Sequence, residues 1–202
     1  MTKLHESEIA HLHPTQITVG MIEVHDKRKL IEKLDRSELR DYLAVRPMPA
    51  VIGPHGRLHI TDHHHLGRAL WEARIDNALF LVEADYSRSR VDSFWAEMLA
   101  RHWAHPIDGR GDPQPIEAIP RHLGELVDDP YRSLAGYVRE AGGFEKTPTA
   151  FAEFLWADFF RQRIRITGPD RGAFERAVQR ALVLAHRAEA GNLPGFVSLA
   201  RS

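Results

Sequence analysis

The chain of 202 residues contains no cysteine. This absence excludes disulfide bonds, thiolate zinc sites and cysteine nucleophiles together, and it fits a reducing compartment. No segment approaches the roughly 20 consecutive apolar residues that a membrane helix needs. The first residues also lack the apolar core of a signal peptide. We therefore expect a cytoplasmic protein without a membrane partner.

An excess of either charge is also missing. The 27 Lys and Arg residues nearly balance the 28 Asp and Glu residues, which gives a formal net charge of −1. Proteins that coat nucleic acid neutralise its phosphates with clustered Lys and Arg, so this balance does not favour a nucleic-acid partner. Local basic patches are left open. The length suits one large domain, or a small domain with a second region packed on it.

Strand and helix signals alternate in the first part of the chain. Residues 1–13 are predicted to be a loose arm, and alternating apolar residues over 16–19 predict a strand. Helical spacing follows, with a break near 35–37. Proline and glycine then bound a strand, a turn and a second strand over 47–62. The apolar segment over 78–85 is typical of a buried strand.

The later part of the chain is predicted to be mainly helical. Pro130 is expected at a helix start, and Thr147 or Thr149 at the N-cap of an aromatic helix. The predicted fold class is α+β, with a small mixed-sheet domain over 8–86. A helical C-terminal region over 87–202 is expected to pack on it. The apolar aromatic helix could also serve a homodimer interface.

The sequence ITDHHHLGRAL, which begins at residue 60, combines polar groups at a predicted strand-to-helix junction. Asp62 ends the strand, His63–His65 follow, and helical spacing begins at about Leu66. The exposed first turn of a helix offers N–H groups and the positive end of the helix dipole, which bind phosphate. Histidines add donors, and Arg68 offers a planar fork for phosphate oxygens. Asp62 could hold Mg²⁺ or orient a histidine.

Three interpretations of the histidines remain open at this point. They could form a polar helix start that Asp62 caps, although histidine has no capping advantage over serine or threonine. They could bind a transition metal with help from His59, because histidine suits zinc, nickel and iron alike. They could also line an anion cradle, as the helix start favours.

The segments LHPTQITVGMIEV and PAVIGPHGRLHITDHHHLGRAL together resemble the ParB-like nuclease superfamily. Its small ParB/sulfiredoxin-like domain is shared by chromosome-partition proteins, sulfiredoxins and free-serine kinases. In the serine-kinase branch the junction reads Asp-Gly-His-His-Arg. Asp62, His64 and His65 match it, whereas His63 replaces the glycine and Leu66 replaces the arginine.

The partition branch is matched at other positions of the same junction. Its motif reads Gly-Glu-Arg-Arg-x-Arg-Ala. Arg68 and Ala69 match, while His64 and His65 stand in place of Glu and Arg. The sequence most resembles a ParB-like subfamily with an Asp-His-His-His junction and a helical C-terminal extension.

The resemblance implies that a nucleoside triphosphate or diphosphate rests its phosphates on the junction. The expected cofactors are therefore a nucleotide (ATP, ADP or CTP) and Mg²⁺. The kinase branch uses a glutamate on an early loop as its base, and Glu23 lies near the matching place. The implied catalytic residues are Glu23, Asp62, His64 and His65. The candidate nucleotide-binding residues are His63, His64, His65, Arg68 and Lys146, where Lys146 is included because it lies in a predicted loop from which it could reach a phosphate. Asp62 is the candidate metal ligand.

These expectations lead to one main functional prediction and two alternatives. The main prediction is an enzyme that binds a nucleotide and catalyses phosphoryl transfer or hydrolysis on a small-molecule substrate. One alternative is a DNA-associated nuclease or partition-type protein, although no helix-turn-helix signature follows the first domain. The other is a metal-dependent hydrolase that uses the histidines.

Overall fold

The computed structural model describes residues 4–168 and 170–198. It forms two compact units, Met1–Asp128 and Asp129–Ser202. This division lies later in the chain than the boundary after residue 86 that the sequence suggests. The reason is that residues 87–128 return to the first unit, where Phe94 packs in one cluster with Ile17 and Val51.

The first unit contains a mixed five-stranded sheet and a separate two-stranded ladder. The strands in chain order are Leu4–Glu8 (β1), Leu12–His13 (β2), Thr18–Val19 (β3), Met48–Ile52 (β4), Leu58–Ile60 (β5), Asn77–Asp85 (β6) and Val127–Asp128 (β7). The main sheet has the order β1-β6-β4-β5-β2, and β3 pairs in parallel with β7. Within the sheet, β4 runs parallel to β6 but antiparallel to β5. The predicted α+β class with a mixed sheet is confirmed.

Helices cover both faces of this sheet. Those of the first unit are Met21–Ile31 (α1), Arg36–Ala44 (α2), His64–Glu72 (α3) and Val91–Ala100 (α4). Alternation along β5 sends Ile60 into the core with Val24 of α1 and Leu70 of α3. His59 points to the opposite face, where its ring lies 4.9 Å from that of Phe94 in α4.

The break between α1 and α2 has a local cause. Asp35 accepts hydrogen bonds from the backbone N–H groups of Ser37 and Glu38, at 2.8 and 2.9 Å. The Glu38 carboxylate accepts the Asp35 N–H in return, at 2.8 Å. This reciprocal capping box starts α2 where the sequence predicted a break.

Apart from an isolated bridge between Phe144 and Phe196, the regular elements in the described part of the second unit are helices. Its helices are Pro130–Glu140 (α5), Ala152–Arg161 (α6) and Arg171–Ala185 (α7). Asp129 caps α5 by accepting the Tyr131 N–H at 3.0 Å, and Pro130 occupies the first turn as predicted. The predicted threonine cap of α6 is wrong, because the helix starts after Phe151, which has a φ of 57°.

One further expectation is modified by the structure. Residues 4–8 are not a loose arm, because β1 pairs antiparallel with β6 from Leu4↔Leu81 to Glu8↔Asn77. Residues 1–3 lie outside the described residues. None of the helices in the described ranges has the length and apolar character needed to cross a membrane.

Candidate functional site

The junction between β5 and α3 is built around a left-handed residue. His63 has a φ of 62° and directly precedes α3, which begins at His64 rather than at Leu66. Its N–H donates to Oδ1 of Asp62 at 2.6 Å. Asp62 itself is exposed. The sharp turn therefore leaves the Asp62 carboxylate at the surface beside the first turn of the helix.

His64 is buried, which contradicts the expectation of an exposed first turn. Its side chain is folded against the segment after β2, where its Nε2 accepts the backbone N–H of Thr15 at 3.1 Å. The Thr15 hydroxyl donates to the carbonyl of Ile60 at 2.8 Å. Because an imidazole nitrogen that accepts an N–H carries no proton, the His64 Nε2 is the acceptor end of a neutral ring. His64 therefore fastens the Thr15 segment to the start of α3.

His65 is also buried and fastens a second segment. Its Nε2 accepts the backbone N–H of Gly20 at 2.9 Å, just before α1 begins. The same Nε2 lies 3.6 Å from Oε2 of Glu23. The contact brings the N-terminal ends of α1 and α3 together, with a carboxylate beside them.

Glu23 lies in the first turn of α1, not on a loop as the resemblance implied. Its side chain is only 16% exposed, and its Oε1 lies 3.2 Å from Nζ of Lys27 one turn later. The carboxylate thus lies between the Lys27 ammonium group and the His65 ring.

Arg68 is occupied by groups of the protein. Its Nε donates to Oε1 of Glu72 at 2.9 Å. Its Nη1 reaches the carbonyl oxygens of Leu123, Gly124 and Leu126 at 3.2, 2.9 and 2.9 Å. These bonds satisfy the carbonyls of a 3-10 turn, so the geometry favours a structural role for the guanidinium.

Lys146 belongs to the second unit. It is exposed, in the segment between α5 and α6. Glu23, Asp62 and the three consecutive histidines therefore belong to the first unit, and Lys146 belongs to the second.

The described side chains that surround the junction do not form a transition-metal site. Across the described ranges, no group of three or more His, Cys, Asp or Glu side chains is arranged to hold a metal ion. A cage of transition-metal type is thus not built from the histidines. Mg²⁺ needs fewer protein ligands, because one or two carboxylates can hold it together with substrate phosphates and water. The exposed Asp62 fits that smaller requirement.

A second group of imidazoles, which we call the histidine cluster, consists of His13, His59 and His122. The parallel pairing of β2 with β5 sets His13 opposite His59, and their ring centroids are 5.0 Å apart. The rings of His13 and His122 are 6.1 Å apart. Of these three residues, only His59 was predicted from the sequence as a possible ligand, because the pairing of short strands that are distant in the chain leaves no local signal.

Burial and nearby charge keep the rings of His13 and His59 neutral. Burial, together with the neighbouring His13 and Arg57, lowers the pKa of His59 to about 3. Burial and the Arg57 guanidinium also lower the pKa of His13. Two neutral imidazoles therefore lie side by side at ordinary pH.

Comparison with known proteins identifies the family. Residues 5–162 match the protein family described as "Putative ParB-like nuclease". The chain belongs to the ParB-like nuclease family. This confirms the superfamily to which the Asp-His-His-His junction pointed.

This ParB-like protein is also similar to a bacterial protein of known structure. The crystal structure of protein Atu1540 from Agrobacterium tumefaciens is 38% identical in sequence and superposes with a TM-score of 0.88. The similarity covers 98% of each chain. None of the curated proteins compared with the chain matches it.

Proposed function

We propose that this ParB-like protein binds the phosphates of a nucleotide at the N-terminus of α3 and catalyses phosphoryl transfer or hydrolysis on a small molecule. One observation carries the proposal. The Glu23 carboxylate lies 3.6 Å from His65, in the first turn of α3. A proton acceptor and the anion-binding end of a helix therefore lie next to each other.

The residues around the junction have distinct roles in this proposal. The backbone amides at the start of α3 meet the phosphate, and the His63 ring lines the rim. His64 and His65 act as positioning residues, because their acceptor nitrogens hold Thr15 and Gly20. Preorganised amides stabilise developing charge without reorganising during the reaction.

Glu23 and Asp62 have the chemical roles. Glu23 takes the proton of a substrate hydroxyl or of water as that oxygen bonds to the terminal phosphorus. The bond from phosphorus to the nucleotide's bridging oxygen breaks, and the shortened nucleotide leaves with that electron pair. Asp62 would hold Mg²⁺ together with the phosphates, and the ion would supply neutralising charge.

Calorimetry with ATP, ADP and CTP, each with and without Mg²⁺, tests the binding step. We expect at least one nucleotide to bind wild-type protein more tightly with Mg²⁺. The Asp62→Asn variant should lose the Mg²⁺ effect, whereas Asp41→Asn, at an exposed carboxylate of α2, should keep it. If none of the three nucleotides binds wild-type protein, the proposal is wrong.

The chemical step needs a separate measurement. Release of phosphate, or its transfer to candidate hydroxyl compounds, can be followed with a nucleotide that binds. Glu23→Gln should bind this nucleotide but turn over about 100-fold more slowly or worse, as loss of a general base does. The exposed Glu32→Gln, at the other end of α1, is the matched control.

Hydrolysis of nucleic acid is the second candidate, because the family description names a nuclease. A phosphodiester presents the same phosphorus centre to the same residues. Incubating single- and double-stranded DNA with the protein and Mg²⁺ separates the two candidates. Cleavage that Glu23→Gln abolishes would favour the nuclease activity.

A further inference from the structure

We propose that the histidine cluster binds an oxyanion of phosphate type, with Arg57 and Arg121 balancing its charge. The inference goes beyond the proposed function, because the cluster lies on the other face of the sheet. In β5, Ile60 joins the core under α1 and α3, whereas His59 faces α4.

The first reason is an unsatisfied polar atom. His59 is only 7% exposed. Its Nδ1 is buried without a hydrogen-bond partner among the described residues. A Cβ atom added to Gly53 would lie 2.7 Å from Cδ2 and 2.9 Å from Nε2 of His59. That edge of the ring therefore packs on the Gly53 backbone, and the Nδ1 edge is turned away from it.

A buried ring nitrogen without a partner costs free energy, and natural structures rarely keep one without a use. The ring is fixed on its other sides. The rings of Phe94 and Trp95 lie 4.9 and 5.4 Å from it. The neutral imidazole can therefore offer an N–H donor that needs no reorientation when a ligand arrives.

The second reason is the charge of the surroundings. His13 makes a hydrogen bond to the backbone of Arg121, and its pKa is lowered by burial and then by Arg57. Glu125 is also close in the chain, but its Oε2 accepts the backbone N–H groups of Arg121 and His122, each at 3.0 Å. The charged side chains that face the imidazoles are thus two guanidinium groups, which favour an anion.

The third reason is access. Solvent exposure increases along the cluster. His59 is buried, His13 is half-buried, and His122 is exposed, as are Arg57 and Arg121. An anion arriving from solvent would meet the guanidinium groups first and the His59 N–H last. Planar guanidinium groups and N–H donors are the groups that recognise phosphate oxygens.

Binding of inorganic phosphate to the full chain, followed by NMR of the histidine ring resonances, tests this assignment. We expect saturable shifts of His13, His59 and His122. The double variant Arg57→Ala/Arg121→Ala should weaken binding about tenfold or more, as loss of two charge-assisted contacts does. Lys29→Ala/Arg40→Ala removes the same charge from exposed positions of α1 and α2 and should bind as wild type does.

Two further arms sharpen the result. Phenyl phosphate in place of phosphate distinguishes an organic phosphate, which would bind more tightly against Trp95, from the free ion. Sulfate, a second tetrahedral oxyanion, should also bind wild-type protein and should lose affinity in Arg57→Ala/Arg121→Ala as phosphate does.

Several outcomes would overturn the assignment. These are no binding of phosphate, sulfate or phenyl phosphate at tens of millimolar, or an equal loss in both double variants. Shifts confined to the amides at the start of α3 would also overturn it. Asp62→Asn separates the two sites, because it should impair nucleotide binding there and leave phosphate binding at the histidine cluster unchanged.

Discussion

At the scale of single residues, His64 shows how a buried polar side chain can connect two distant segments of the chain. Its Nε2 accepts the Thr15 N–H across a separation of 49 residues, in a buried setting. Substituting the ring with alanine would leave that N–H without an acceptor and open a cavity. The resulting cost is therefore both electrostatic and steric.

We expect His64→Ala to lower the free energy of unfolding by about 2–4 kcal/mol. His64→Gln should lose at most about half of that, because the amide oxygen of glutamine can accept the Thr15 N–H from a similar position. Urea unfolding followed by circular dichroism gives both values. Equal losses in the two variants would show that the acceptor is unimportant and that only volume matters.

His59 ties the stability of the first unit to pH. Its pKa is about 3 in the folded protein, chiefly through burial, against an ordinary value of 6.5. Below pH 6.5 the imidazole of His59 becomes protonated in the unfolded chain but stays neutral in the folded protein. The stability from His59 is therefore complete above pH 6.5 and is lost as the pH falls towards 3. The full loss is on the order of 5 kcal/mol.

Urea unfolding at several pH values between 7.5 and 4 measures this loss. In His59→Asn the side chain cannot titrate, so the fall in stability with acidification should be shallower than in wild type. Other groups contribute equally to both slopes, and their difference isolates His59. Parallel slopes would mean that the ring is protonated as easily in the folded state as in the unfolded state.

At the scale of secondary structure, local signals located some boundaries. The capping box at Asp35 involves only residues 35–38, and α2 begins directly after this cap.

Asp35→Ala should lower the free energy of unfolding by about 1 kcal/mol and the melting temperature of the chain by a few degrees. Glu38→Gln should stay close to wild type, because glutamine also completes a capping box. A thermal melt followed by circular dichroism checks both variants, and an unchanged melting temperature in Asp35→Ala would contradict the argument.

Other boundaries depend on contacts that the sequence does not reveal. The sequence predicted a strand over 16–19 and helical spacing after it, but it did not show that α1 starts at Met21. Its first N–H donates to Oδ1 of Asp128 at 2.9 Å, a partner 107 residues away. The strand β1 was missed for the same reason, because its edge pairing is supplied by β6. Non-local hydrogen bonds thus overrode weak local preferences.

Some features of the candidate site could be predicted from the sequence, and others could not. The Asp-His-His-His junction, its position at a helix start and the nearness of Glu23 followed from the motif and its family resemblance. The burial of His64 and His65 did not, because their partners Thr15 and Gly20 lie 49 and 45 residues earlier. A histidine that accepts a backbone N–H and one that meets a phosphate look identical in a sequence.

At the scale of the whole molecule, the charge balance bears on the nuclease interpretation. The family description names a nuclease, but the formal net charge is −1 and the sequence pI is about 6.9. Affinity for DNA derives largely from phosphate neutralisation by Lys and Arg. Arg68 and Arg28 cannot contribute freely, because both pair with Glu72.

We therefore expect DNA to bind more weakly than a Kd of about 10 µM at physiological salt, within the range of non-specific association. Fluorescence anisotropy with labelled duplexes, repeated between 50 and 200 mM salt, measures both the affinity and its salt dependence. A shallow salt dependence is expected, because few phosphates can be neutralised at once. Submicromolar binding with a steep salt dependence would instead reveal a basic surface that net charge conceals. A DNA substrate would then replace the small molecule as the partner of the α3 site.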